Sequence, residues 1–117
     1  MSDNYEKDMA LTLQEALSII NSVEENKIEI SKGHEKTIAF MGSIFASTTE
    51  MVNFIKNIEE CDYISGPIPD DKPSERRNKP VWIFKKHLFG IRVYIKIKIF
   101  ITNRKVYVLS LHEDERN

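Results

Sequence analysis

The 117 residues are enough for one compact domain and too few for two. Hydrophobic residues make up 41% of the chain and charged residues 30%, an ordinary globular composition, and no apolar run approaches the roughly 20 residues of a membrane span. The net charge is −1, and one cysteine, Cys61, excludes an intrachain disulfide and suits a reducing cytosol.

The opening MSDNYEKDMA is acidic and polar, unlike a secretory leader. Residues 1–10 and 114–117 read as flexible tails of a single domain over 1–117. Thr12-Leu13-Gln14-Glu15 is a capping box, and Leu13, Ala16, Leu17, Ile20 and Val23 follow at helical spacing, which predicts a helix over about 12–25. Lys27 to Ser31 alternates like a short strand. Residues 35–45 suit a short helix. Ser47-Thr48-Thr49-Glu50 is a second capping box before a helix of about 48–60, with Met51, Phe54, Ile55 and Ile58 as its buried stripe. Cys61 reads as a small buried residue. Residues 66–80 hold all four prolines and seven charges and predict an exposed loop. Val81 to Phe84 is an apolar strand with Trp82 in the core, and 85–90 connects it to a long strand, 91–101. A last strand covers 105–111. Helices first and an antiparallel sheet after is an α+β order.

Isoleucine or valine takes every odd position from Ile91 to Ile101, so that face must meet the core. If Tyr107, Leu109 and Leu111 are the buried residues of the last strand, the loop needs an odd length, and Thr102-Asn103-Arg104 supplies it. Ile101 then pairs with Lys105, Lys98 with Val108, Lys96 with Ser110 and Tyr94 with His112. A one-residue slip would send His112 into the core. The open face gathers Tyr94, Lys96, Ser110 and His112, with Arg92, Lys98 and Phe100 beside them.

Charge is unevenly spread. Residues 1–71 hold five Lys and Arg against 14 acids, whereas 72–106 hold eleven against Glu75 alone. That asymmetry fits a polyanion bound at the basic end, or two halves that pair with each other. The open-face cluster likewise fits three uses. One is a solvated strand face, where lysines blunt a sheet edge. Another is nucleic-acid contact, with Phe100 as a stacking surface and Lys85 and Lys86 as further contacts. The third is phosphodiester chemistry on RNA, with His112 and Tyr94 as acid and base and Lys96 and Arg92 holding phosphate oxygens. His34, His87, His112 and Cys61 lack metal-ligand spacing, and none of the four glycines forms a phosphate-binding loop, so neither metal nor cofactor is expected.

The run Trp82…Tyr94-Ile95-Lys96-Ile97…Val108-Leu109-Ser110-Leu111-His112 resembles the MqsR family of type II toxins, and Met51-Val52-Asn53-Phe54…Asp62-Tyr63, Gly66-Pro67 and Asp70 fit the same family. The resemblance covers roughly residues 15–113. It implies a RelE-like fold with N-terminal helices on a small twisted antiparallel sheet. It also implies metal-independent cleavage of single-stranded mRNA in the cytoplasm, and an antitoxin that neutralises the toxin by binding it. Tyr94 and Lys96 match its active-site tyrosine and the lysine of the same strand. His112 stands where the best-known member has a lysine, at the end of a strand that many members close with Ser-Phe-His and that has Leu111 in place of the phenylalanine here. Ser65 and Ile83 stand where the best-known member has other polar site residues. The other function the residues fit is a non-catalytic module binding RNA or protein.

Overall fold

The computed structural model of the chain describes residues 5–31, 35–70 and 79–114. Over them the architecture is α+β. Helices α1 (Tyr5–Met9), α2 (Leu13–Ser22), α3 (Glu35–Ile44) and α4 (Thr48–Lys56) accompany five strands: β1 (Ile28–Ile30), β2 (Tyr63–Ile68), β3 (Val81–Leu88), β4 (Ile91–Phe100) and β5 (Lys105–Glu113). The sheet order is β1-β5-β4-β3-β2.

The first predicted capping box is made in full and the second only in part. The Thr12 hydroxyl accepts the Glu15 N–H at 3.1 Å and the Glu15 carboxylate accepts the Thr12 N–H at 2.9 Å. At α4 the Ser47 hydroxyl accepts the Glu50 N–H, but the Glu50 carboxylate reaches one residue further back, to the Ala46 N–H. One face of the sheet carries the main core. Ala16, Ile19, Ile20, Met51, Phe54 and Ile55 of the helices pack on Trp82, Phe84, Val93, Ile95, Ile97 and Ile99. Each such Ile, Val, Phe or Met side chain, fully buried, stabilises the fold by about 1.5–3 kcal/mol.

Several expectations need correction. The sheet is mixed, because β1 lies parallel to β5, with Ile28 beside Val106 and Ile30 beside Val108. Most of the chain separates these two strands, so their connection constrains neither direction, and three residues carry too little pattern to announce it. Residues 5–9, expected in a tail, form α1 with Asp8 buried. Gly66 and Pro67 belong to strand β2 rather than a loop. There φ is +129° and a Cβ would stand 2.9 Å from the Val81 carbonyl oxygen, so only glycine fits. The rest of the expected loop, 71–78, lies outside the described residues, and Lys79 and Pro80 beyond it are buried. Cys61 is exposed, on a 3₁₀ turn (Glu60–Asp62). The Asp62 charge beside it, joined by Glu59, pushes its thiol above the usual range.

Residues 85–88, expected as part of a connection, extend β3. Leu88 pairs with Ile91, leaving Phe89-Gly90 as a two-residue turn. Both residues have positive φ, +53° and +78°, as a type I′ turn requires. Glycine meets this freely. A left-handed phenylalanine costs roughly 1–2 kcal/mol.

The β4–β5 hairpin is half as expected. Tyr94 pairs with His112, Ile95 with Leu111 and Lys96 with Ser110, but beyond Lys96 the register shifts by one. Ile97 pairs with Val108, Lys98 with Tyr107 and Phe100 with Lys105 across a four-residue turn, 101–104. An extra residue at Leu109 is a β-bulge. It turns Val106 and Val108 into the main core in place of Tyr107 and Leu109, which join Val81 and Phe100 in a smaller cluster on the opposite face. Val-Tyr-Val-Leu is apolar at every position, so alternation cannot say which side faces the helices.

Candidate active site

Three parallel rows cross the face of the sheet that the main core leaves free. Strand pairing sets Ser65, Ile83, Lys96 and Ser110 in one row. The next holds Lys85, Tyr94 and His112. The last holds His87 and Arg92, with Asp114 continuing β5 as its N–H donates to the Arg92 carbonyl at 2.8 Å. These side chains share a side because each strand alternates with period two.

Tyr94 and His112 are stacked, their ring centroids 5.1 Å apart and their planes 21° apart. Both are half-buried. The His112 Nδ1 lies 2.9 Å from the Glu113 carbonyl oxygen. A carbonyl only accepts, so Nδ1 carries the hydrogen, and in the neutral ring Nε2 is the lone-pair nitrogen. The bond favours the tautomer that presents Nε2 as a base, and the stack on Tyr94 sets the plane of the ring. Beside it, the buried hydroxyl of Thr37 on α3 accepts the Leu111 N–H at 3.1 Å. That bond serves the outer edge of β5 beyond the reach of β1.

Asp114 organises the cations of the outer rows. Its carboxylate, 3% exposed, lies 3.1 Å from the Lys85 ammonium and 3.9 Å from the Arg92 guanidinium, while Arg92 itself stays 47% exposed. Sequence reasoning placed Asp114 in a tail. The signal that finds it is the period of two continuing from Ser110 through His112.

The other expected RNA contacts are dispersed. Lys98 is fully buried and pairs with Asp70 at 2.8 Å, so it belongs to no open surface. Phe100 is half-buried in the smaller cluster, with the Lys79 ammonium 5.0 Å over its ring. Lys79 in turn pairs with Asp8 of α1 at 2.9 Å, both buried. Lys86 points the opposite way from Lys85, donating to the Asn57 carbonyl at 3.0 Å and pairing with Asp62. Lys105 pairs with Glu29. Much of the basic segment is therefore neutralised by the acidic half, the second of the two readings of the charge asymmetry. Among the described residues Lys96 has no ion pair, and it stands one row from the Tyr94–His112 stack.

Lys96, Tyr94, Ser110 and His112 are brought together as expected, with Lys85 and Arg92 beside them. The set joins an imidazole base, a phenol, an ammonium and a guanidinium on one face. Arg92, Tyr94 and Lys96 follow one another along β4 at intervals of about 6.6 Å, and His112 faces Tyr94 one strand spacing, about 4.8 Å, away. It can accept a proton, donate a proton and hold an anion. Comparison of the chain with protein-family models, with curated proteins and with solved structures found no match.

Proposed function

We infer that the chain is a metal-independent endoribonuclease acting on single-stranded mRNA, the toxin of a type II toxin–antitoxin pair. The observation that carries this reading is the Tyr94–His112 stack with Nδ1 of His112 tied to a carbonyl. In the proposed reaction His112 Nε2 takes the proton of a ribose 2′-hydroxyl. The 2′-oxygen bonds to phosphorus as the bond from phosphorus to the 5′-oxygen breaks. The Tyr94 hydroxyl protonates that leaving oxygen, and Lys96 and Arg92 hold the charge that develops on the phosphoryl oxygens. The products are a 2′,3′-cyclic phosphate and a 5′-hydroxyl. The MqsR resemblance at Tyr94, Lys96 and His112 supports the same assignment, and with it a RelE-like topology, a cytoplasmic site of action and an antitoxin partner.

The test is cleavage of a labelled single-stranded RNA by the parent and by His112→Ala, with and without chelator. The reading expects a cyclic-phosphate product from the parent, none from the variant and no effect of chelator. A parent that binds this RNA but cuts none of it leaves a non-catalytic RNA-binding module. A requirement for magnesium overturns the mechanism.

A further inference from the structure

We propose that His87 and Arg92, with the Lys85 ammonium drawn toward them, form a second phosphate subsite, which takes the phosphate on the 3′ side of the scissile one. The proposal rests on the ribonuclease reading and adds a contact and a polarity for the bound strand.

Three observations carry it. The first is where cationic donors remain. Among the described residues from 79 to 106, every lysine except Lys96 meets a carboxylate. Arg104 donates to the Ser22 hydroxyl. His87 is exposed and makes no hydrogen bond or ion pair among the described residues. The Arg92 guanidinium is 47% exposed, and Asp114, 3.9 Å away, is its one carboxylate among them. The donors left over, on Lys96, Arg92 and His87, thus all stand on the face of the Tyr94–His112 stack.

The second is how the pair is held. His87 and Arg92 face one another on β3 and β4. Such facing side chains start about 5 Å apart, close enough to share one anion. The buried Asp114 carboxylate lies 3.1 Å from the Lys85 ammonium, so it draws that group from the Tyr94 row toward Arg92. Two cations against one carboxylate leave the cluster positive, and the imidazole adds an N–H donor in either protonation state. A guanidinium has donors on more than one edge of its fork, so Arg92 can hold the scissile phosphate with one edge and its neighbour with another.

The third is spacing and direction. The His87–Arg92 row lies about 6.6 Å along the sheet from the Tyr94 row, and β3 lies about 4.8 Å beyond β4. That is the scale of one nucleotide step in an extended backbone. In the proposed reaction the 2′-hydroxyl sits at His112 on β5 and the leaving 5′-oxygen at Tyr94 on β4. The strand therefore runs in its 3′ direction from β5 toward β3, and its next phosphate arrives over Arg92 and His87.

The test uses the full chain. The bond it cuts is first mapped on a natural single-stranded RNA. A 2′-O-methyl strand is then made with one ribonucleotide at that bond, so that no other bond can break. Two further strands carry a neutral methylphosphonate in place of the neighbouring phosphate, one on the 3′ side and one on the 5′ side. For the parent, the 3′ replacement should lower kcat/KM on the order of five- to twentyfold, the effect of a lost hydrogen bond to a charged group at a partly solvated surface. The loss should lie in KM, because a phosphate away from the reacting bond is held alike before and in the transition state. The 5′ replacement should change little. His87→Ala, at an exposed strand position, should melt as the parent does. It should lose most of that factor on the all-phosphate strand and little more on the 3′ methylphosphonate strand, and His87→Lys should restore the preference for a charged 3′ neighbour. If His87→Ala costs nothing on the all-phosphate strand, or as much on the 3′ methylphosphonate strand as on it, the subsite is overturned while the ribonuclease reading stands. A loss that follows the 5′ replacement instead overturns the assigned polarity and the subsite with it. A parent that cuts no RNA overturns both readings.

Discussion

Lys96 and Lys98 stand two residues apart on β4, on the same face of the sheet, and end in opposite environments. Lys98 lies fully buried on the half of the open face that Val81, Phe100, Tyr107 and Leu109 turn into a second small core, its charge met by Asp70. The buried Asp8–Lys79 pair borders that same half, since Lys79 sits over the Phe100 ring. Lys96 lies on the other half, one row from Tyr94 and His112 and partly accessible. A single alternating strand thus serves as a structural element at one end and as the floor of a site at the other. The difference comes from what covers each half. The lesson is that a lysine on an alternating strand is classified by what lies over it, and its own strand does not carry that information.

The largest expected effect separates chemistry from packing on the accessible half. His112→Ala should lower the initial rate of RNA cleavage by about 10²–10⁴-fold, with thermal unfolding close to the parent's. A variant that cuts as fast as the parent would remove the distinction between the two halves. On the covered half the effect should be on stability alone. Lys98→Ala leaves Asp70 buried without its ammonium partner and should lower the unfolding free energy in urea by about 3–5 kcal/mol. The paired change Lys98→Met with Asp70→Leu should recover most of that loss. If Lys98→Ala unfolds like the parent, the second core is no core. How much of this was legible beforehand differs between the halves. Tyr94, Lys96, Ser110 and His112 could be grouped from the sequence, because Ile91, Val93, Ile95 and Ile97 alternate with polar residues and Ile95 faces Leu111. The burial of Lys98 could not, because Asp70 lies far along the chain and nothing local marks it as a partner.

A smaller effect tests how the accessible half is held. Thr37→Val removes the acceptor for the Leu111 N–H and should cost about 1–3 kcal/mol. Faster hydrogen exchange should then be confined to the outer end of β5. Exchange unchanged at Leu111 would mean that the hydroxyl does not secure that edge. The smallest effect is electrostatic. Lys96→Ala should leave stability within about 0.5 kcal/mol and should make the slope of log affinity against log salt for single-stranded RNA shallower by about 0.7. The same substitution with no change in salt dependence would take Lys96 out of phosphate contact.

By itself the sequence determined the elements whose patterns are unambiguous. Capping residues Thr12 and Ser47 and their apolar stripes placed α2 and α4, since a helix start and a period of 3.6 are local properties. The strict alternation of 91–99 placed one face of β4 in the core, and the pairing of Tyr94 with His112 followed from burying Ile95 and Leu111 together. The tertiary structure decided whatever depended on a remote neighbour or on a segment apolar on both sides. Residues 106–109 present hydrophobic groups to both faces, so only packing of helices on one side and of the second core on the other could select Val106 and Val108 and place the bulge at Leu109. The parallel pairing of β1, the burial of Lys98 and Lys79, and the use of Asp114 to hold Lys85 and Arg92 have the same origin. Each is settled by a partner distant in sequence or beyond the expected end of a strand, and local patterns carry no record of it.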